Sequence, residues 1–124
     1  MREGDAFFLI GAPDRHLWVI VSNPELDPVR VLFLSLTSLD VTKENVCVIL
    51  PGEHPFVANK TCVYYRDIKE ASLDNLIRLR DAGRLRLADP VSADLLRRIR
   101  EGISLSKEVK FKYIDFLIEQ GVID

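Results

Sequence analysis

Two runs in the first third of the chain, His16–Ser22 (HLWVIVS) and Val29–Thr37 (VRVLFLSLT), are apolar on both sides of an extended backbone. Side chains alternate along a strand, so Leu17, Val19 and Val21 face one way while Trp18 and Ile20 face the other. In the second run Val31 and Phe33 oppose Leu32, Leu34 and Leu36. A sheet built from such strands must close on its own core and also be covered on its outer face. Polar residues occur only at the two ends. The connection Asn23–Pro28 is short enough for an antiparallel hairpin, which brings His16, opening one strand, beside Thr37, closing the other.

Five β-like runs precede residue 67: Asp5–Gly11, His16–Ser22, Val29–Thr37, Asn45–Leu50 and Thr61–Arg66. Turn-rich stretches separate them at 12–15, 23–28 and 51–55. Strands this short and this regularly spaced predict a small barrel or a strongly bent sheet. Beyond residue 70 the apolar period becomes helical. Ser72 opens a first helix that ends at Gly83, Ser92 caps a second bearing Leu95, Leu96, Ile99 and Ile103, and Ser106 caps a third with Val109, Tyr113, Ile114, Leu117 and Ile118 inward. Arg84–Ala88 reads as one further edge strand. Strands first and helices afterwards make an α+β fold, a single domain over 1–124 with a β part at 4–66 and a helical part at 70–121. The helices are the expected cover for the outer face. The wide apolar face of the third leaves Phe111 or Phe116 over for a partner.

A chain of 124 residues with 48% hydrophobic and 29% charged residues is long enough for one sizeable core and too apolar to be disordered. No apolar run reaches the roughly 20 residues that span a bilayer, and Met1–Asp5 carries no secretory pattern, so a cytoplasmic protein is expected. Cys47 and Cys62 lie within apolar runs and read as core residues. There is no phosphate-binding glycine loop, no Cys/His ligand cluster and no Gly-x-Ser-x-Gly turn, so no cofactor or metal is expected. Charge is unevenly placed: residues 1–77 hold 7 Lys/Arg against 11 Asp/Glu, and 78–124 hold 10 against 8. An acidic β half argues against strong nucleic-acid binding there.

Four places carry candidate chemistry. His16 follows Arg15 at a strand mouth; a histidine in that position either works as an acid or base or bonds the loop backbone. Thr37 and Ser38 end a strand, where a hydroxyl can donate to a phosphate oxygen or start a turn. Gly52-Glu-His-Pro-Phe56 holds His54 rigidly, since Pro55 restricts it and Phe56 offers an anchor; in a simple meander this loop lies at the end opposite His16, and the stretch up to Lys60 would have to fold back. Tyr64-Tyr65-Arg66 ends the fifth run at the His16 end by strand parity, and an exposed aromatic beside an arginine can stack a base and contact a phosphate. Arg97, Arg98 and Arg100 sit opposite the apolar stripe of the second helix, the usual solvated face.

With His16 opening the second strand and Ser35-Leu-Thr-Ser38 closing the third, residues 4–66 resemble the PemK/MazF family of small endoribonuclease toxins. The resemblance implies a small SH3-like barrel of about five antiparallel strands; the helical segment after residue 70, expected to pack on it, departs from the compact family pattern and could replace the dimer interface or serve another partner. It implies a metal-independent cleavage of single-stranded RNA, a homodimer, and an antitoxin protein lying over the RNA groove. In that reading His16, Thr37, Arg15 and Ser38 are catalytic, and His54, Tyr65, Arg66 and Lys60 contact substrate. The family places an Arg where this chain has Arg15-His16, so the arginine is either shifted by one residue or replaced. Two other readings stand beside it: a catalytically inert barrel used as a protein-interaction module, and a nuclease relative whose activity was lost with the Arg-to-His change.

Overall fold

The computed structural model describes residues 1–13 and 15–124. Asp14, within the turn expected at 12–15, lies outside the described residues. The strands are β1 (Ala6–Leu9), β2 (Trp18–Ile20), β3 (Val31–Ser38), β4 (Val48–Ile49), β5 (Thr61–Ala71) and β6 (Leu85–Ala88), and the helices are α1 (Leu73–Asp81), α2 (Ala93–Leu105) and α3 (Phe111–Glu119). The six strands form one curled antiparallel sheet in the order β4-β5-β3-β2-β1-β6, an α+β half-barrel with three helices.

Both faces of the sheet are buried, as their composition demands. Leu17, Val19, Val21, Leu32, Leu34 and Leu36 join Phe8, Val63 and Tyr65 in a core sealed by Leu95, Ile99 and Ile103 of α2 and by Phe116 and Leu117 of α3. On the opposite face Phe7, Trp18, Ile20, Val31 and Phe33 are covered by Leu76 of α1 and Leu85 of β6. Aromatic rings dominate this second core: the Phe33 centroid lies 5.3 Å from that of Phe7 and 5.5 Å from that of Trp18, both edge-on, the arrangement that ring quadrupoles favour. The outer cover is therefore divided, with α2 and α3 on one side and α1 on the other.

Local chemistry fixes the helix ends. The Ser72 hydroxyl accepts from the Asn75 amide and that of Ser92 from the Leu95 amide, satisfying amides that a helix start leaves orphaned. α1 stops where Gly83 adopts φ +74°, with Gly83 N donating to Arg80 O and Arg84 N to Leu79 O, the paired bonds of a left-handed helix stop. β6 follows at once and pairs with β1 from Ala6↔Ala88 to Leu9↔Leu85. The segment 70–121 thus returns a strand to the sheet and is not purely helical.

Three expectations fail here. β4 is only two residues long and pairs with β5 at the sheet edge, so β5 lies directly against β3. β5 also runs on to Ala71: a register shift between Phe33 and Ser35 lets Phe33↔Lys69 and Ser35↔Tyr64 coexist in one ladder, with residues 65–68 of β5 facing a single step of β3, an irregularity that reads in sequence as a strand end. Ser106 does not cap the third helix. Its amide donates to Gly102 O to end α2, and its hydroxyl donates to Glu44 while accepting from the Glu108 amide. α3 begins only after Lys110. The inward face of α3 also differs from the expected one: Phe116 is buried beneath the Arg30 guanidinium, 4.3 Å above its ring, while Ile118 and Phe111 are exposed, Phe111 to 82%.

Candidate functional site

Strand register brings the two ends of the hairpin together. Trp18 opposes Ser35 and Leu36 N donates to Leu17 O at 3.0 Å, so the same register carried one step further sets His16 opposite Thr37. β5 adds the next position in this row, since Thr37 pairs with Cys62 and Ser38 with Thr61. Around this sheet end opens a cleft of about 240 Å³ lined by Arg15, His16, Leu36, Thr37, Ser38, Phe56, Ala58, Asn59 and Thr61. Four of the residues read as catalytic therefore share one cleft. Alternation splits them about the sheet: His16 and Thr37 belong to the Trp18/Phe33 face, Arg15 and Ser38 to the opposite one. Arg15 packs on that side, its guanidinium carbon 4.9 Å from the Phe8 centroid. Both members of the Arg15-His16 pair reach the cleft because it wraps around the strand end.

The wall opposite the strands is the loop between β4 and β5. Because β4 lies outside β5, with Ile49 beside Thr61, this loop is at the His16 end of the sheet and needs no fold-back. Phe56, 38% exposed, meets Phe8 edge-on at 5.0 Å between centroids. His54 does not face the cleft. It is 3% exposed; its Nδ1 accepts from the Phe56 amide at 3.1 Å and its Nε2 lies 2.6 Å from the Asp89 carbonyl. An imidazole that accepts at Nδ1 carries its proton on Nε2 and donates it to that carbonyl. Both ring nitrogens are thus engaged, and His54 latches the loop to the segment before α2. Glu53 adds a second latch, accepting from the Leu50 amide with one oxygen and pairing with Arg98 of α2 through the other. As a substrate contact His54 is corrected: it positions Phe56 and the cleft wall.

The tyrosine–arginine expectation also changes. Tyr65 is 1% exposed and its phenol donates to Ile99 O of α2 at 2.8 Å; burial pushes its ionisation well above the ordinary range. It cannot stack a base. Arg66 is exposed, but five residues along β5 from Thr61 it stands about 16 Å of strand from the cleft. The direction of β5 explains the error: its beginning, not its end, meets the end of β3. Lys60 is exposed at the correct end, its carbonyl accepting from Leu39 N at 3.1 Å, although its side chain is not part of the cleft lining. Asn59 and Thr61 were missed. Their signal lay in the two-residue length of β4, which composition does not reveal.

Electrostatically the cleft is unlike the β half around it. Among the described residues its lining holds an arginine and a histidine and no carboxylate, and no group of three or more His, Cys, Asp or Glu that could hold a metal ion occurs among them. Cys62, beneath the cleft, is buried, and burial raises its thiol above the usual range. No described helix is long and apolar enough to cross a membrane. Compared with known proteins, the chain is matched by no family model and by no curated protein sequence.

Proposed function

We propose that this chain is a PemK/MazF-like, metal-independent endoribonuclease with an SH3-like barrel, cutting single-stranded RNA as the toxin of a toxin–antitoxin pair. The observation that carries the reading is the joint presence of His16, Arg15, Thr37 and Ser38 in one cleft at the sheet end, with no carboxylate among the described lining residues. Cleavage of this kind needs a base for the 2′-hydroxyl, an acid for the leaving oxygen and donors for the phosphorane. His16 supplies the cleft's imidazole, the side-chain type suited to act as base or acid. Arg15 supplies a fixed positive charge for the phosphorane oxygens, and the Thr37 and Ser38 hydroxyls supply neutral donors. With His54 committed to the loop, a two-histidine mechanism is not proposed.

The objection from net charge is met in part by the lining itself, which among the described residues holds Arg15 and no carboxylate, so the nearest fixed charge to a phosphate there is positive. Action as a homodimer and silencing by an antitoxin belong to the same proposal. The test is cleavage of a labelled single-stranded RNA in excess chelator by wild type and His16→Ala. At least about a hundredfold loss with an unchanged thermal midpoint is expected of an acid–base residue. Equal cleavage by both proteins removes His16 from the mechanism. A wild type that cleaves no RNA favours the inert interaction module, which the acidic β half and the exposed Phe111 suit.

A further inference from the structure

Arg86 lies outside everything the nuclease reading uses, yet it borders the same site. β6 pairs with β1 so that Arg86 stands directly opposite Phe8, and its guanidinium carbon lies 5.3 Å from the Phe8 centroid. Arg15 approaches the same ring at 4.9 Å. Two guanidinium groups therefore gather on one aromatic side chain, and among the described residues neither has a carboxylate partner. Beside them is a recess of about 290 Å³ lined by Phe8, Leu9, Ile10, Gly11, Ala12, Arg15 and Arg86. Arg15 lines both this recess and the His16 cleft, so the two cavities adjoin at its side chain.

Ring quadrupole attraction holds each cation but does nothing for their mutual repulsion. Anionic groups lying against them offset it. Arginine forks match phosphate oxygens in pairs, so two neighbouring forks can take successive phosphates of one strand. We infer that Arg86 forms a second phosphate subsite beside Arg15, which holds the phosphodiester next to the scissile one that Arg15 faces, in a single RNA strand. This rests on the nuclease reading and extends it: the substrate is a strand with at least two phosphates, gripped on the β6 side of the cleft. β6 belongs to the segment beyond the barrel part, so that segment contributes directly to substrate binding.

The experiment measures binding of a fluorescent 2′-O-methyl octaribonucleotide, which cannot be cut, across a salt series. Arg86→Ala is expected to bind it about tenfold more weakly, the effect of losing one charged hydrogen-bonding contact. The salt slope should become shallower by about 0.7, one phosphate contact on a single strand. Arg86→Lys should retain the slope, and a 2′-O-methyl dinucleotide with its single phosphate should bind wild type and Arg86→Ala alike. An equal loss on the dinucleotide would show that Arg86 acts only through the general field and overturn the subsite. Unchanged octanucleotide affinity in Arg86→Ala, with wild type still binding and cleaving, overturns the subsite and leaves the nuclease reading intact. A wild type that neither binds nor cleaves overturns both. Arg86 is exposed, and an unchanged thermal midpoint confirms that the variant is folded.

Discussion

The contact between Gly102 and Tyr65 yields a prediction whose sign opposes the simplest expectation. Gly102 lies inside α2, where alanine is favoured over glycine by about 1 kcal/mol. A Cβ at this position would, however, sit 2.0 Å from the Tyr65 phenol oxygen and 2.7 Å from the ring carbon that bears it. Either the ring or the helix must move. Forcing an extra methyl into a packed core costs about 1–3 kcal/mol, and losing the bond to Ile99 O strands a buried hydroxyl at about another 1–3 kcal/mol. Set against the helix gain, Gly102→Ala should be destabilised by about 3 kcal/mol, a fall of roughly 10 °C in the midpoint for a domain of this length. Paired urea and thermal unfolding of wild type and Gly102→Ala measures it. In a Tyr65→Leu background the same substitution should be neutral or stabilising, because the colliding atoms are gone. A Gly102→Ala protein as stable as wild type would refute the reasoning, and would mean that Tyr65 is free to leave the core.

The other consequences are simpler to check. Thr37→Val keeps the shape of the side chain but removes a donor from the cleft, so under the nuclease proposal RNA cleavage should fall by about tenfold or more with the fold intact. Truncation after Ser106 removes Phe116 and Leu117 from the core beneath α3, and should give an insoluble or molten protein; a cooperatively folding 1–106 fragment would show that α3 is dispensable to the core. Burial raises both thiols above their ordinary range, so Cys47 and Cys62 should react with an aromatic disulfide reagent only as fast as the protein unfolds.

Much of this architecture is legible in the strand alternation. Leu17, Val19 and Val21 do face one core and Trp18 and Ile20 the other, because nothing but period two decides it once both strands are in the sheet. The meeting of His16 and Thr37 follows from the same alternation and a short connection. What could not be read is the order of strands. A meander was the economical assumption, and it reversed β5 relative to the cleft, moving Tyr65 and Arg66 to the wrong end. The information that decides it is spread over the pairing of β5 with β3, a long-range choice with no local signature. His54 was placed in a rigid loop for sound local reasons, Gly52 and Pro55. Whether such a ring points to solvent or to a buried carbonyl depends on Asp89, thirty-five residues away.

The lodging of β1 between β2 and β6 has a consequence for how the chain acquires its structure. The β1–β6 ladder joins positions roughly eighty residues apart, and closing such a long loop carries an entropic cost before any contact repays it. During synthesis β1, β2, β3 and β5 are complete while Phe7, Trp18 and Phe33 still lack α1 and the edge of β1 is bare. An apolar face beside an unpaired edge is the arrangement most prone to sticking to other chains. α1 and β6 are adjacent in sequence and contact each other closely, so they can dock as one unit that seals the face and the edge together. Nascent chains stalled before Leu85 should accordingly bind chaperones at both faces of the sheet, and that binding should weaken once residue 88 has emerged, while the opposite face stays open until α2 and α3 supply Leu95, Ile99, Phe116 and Leu117.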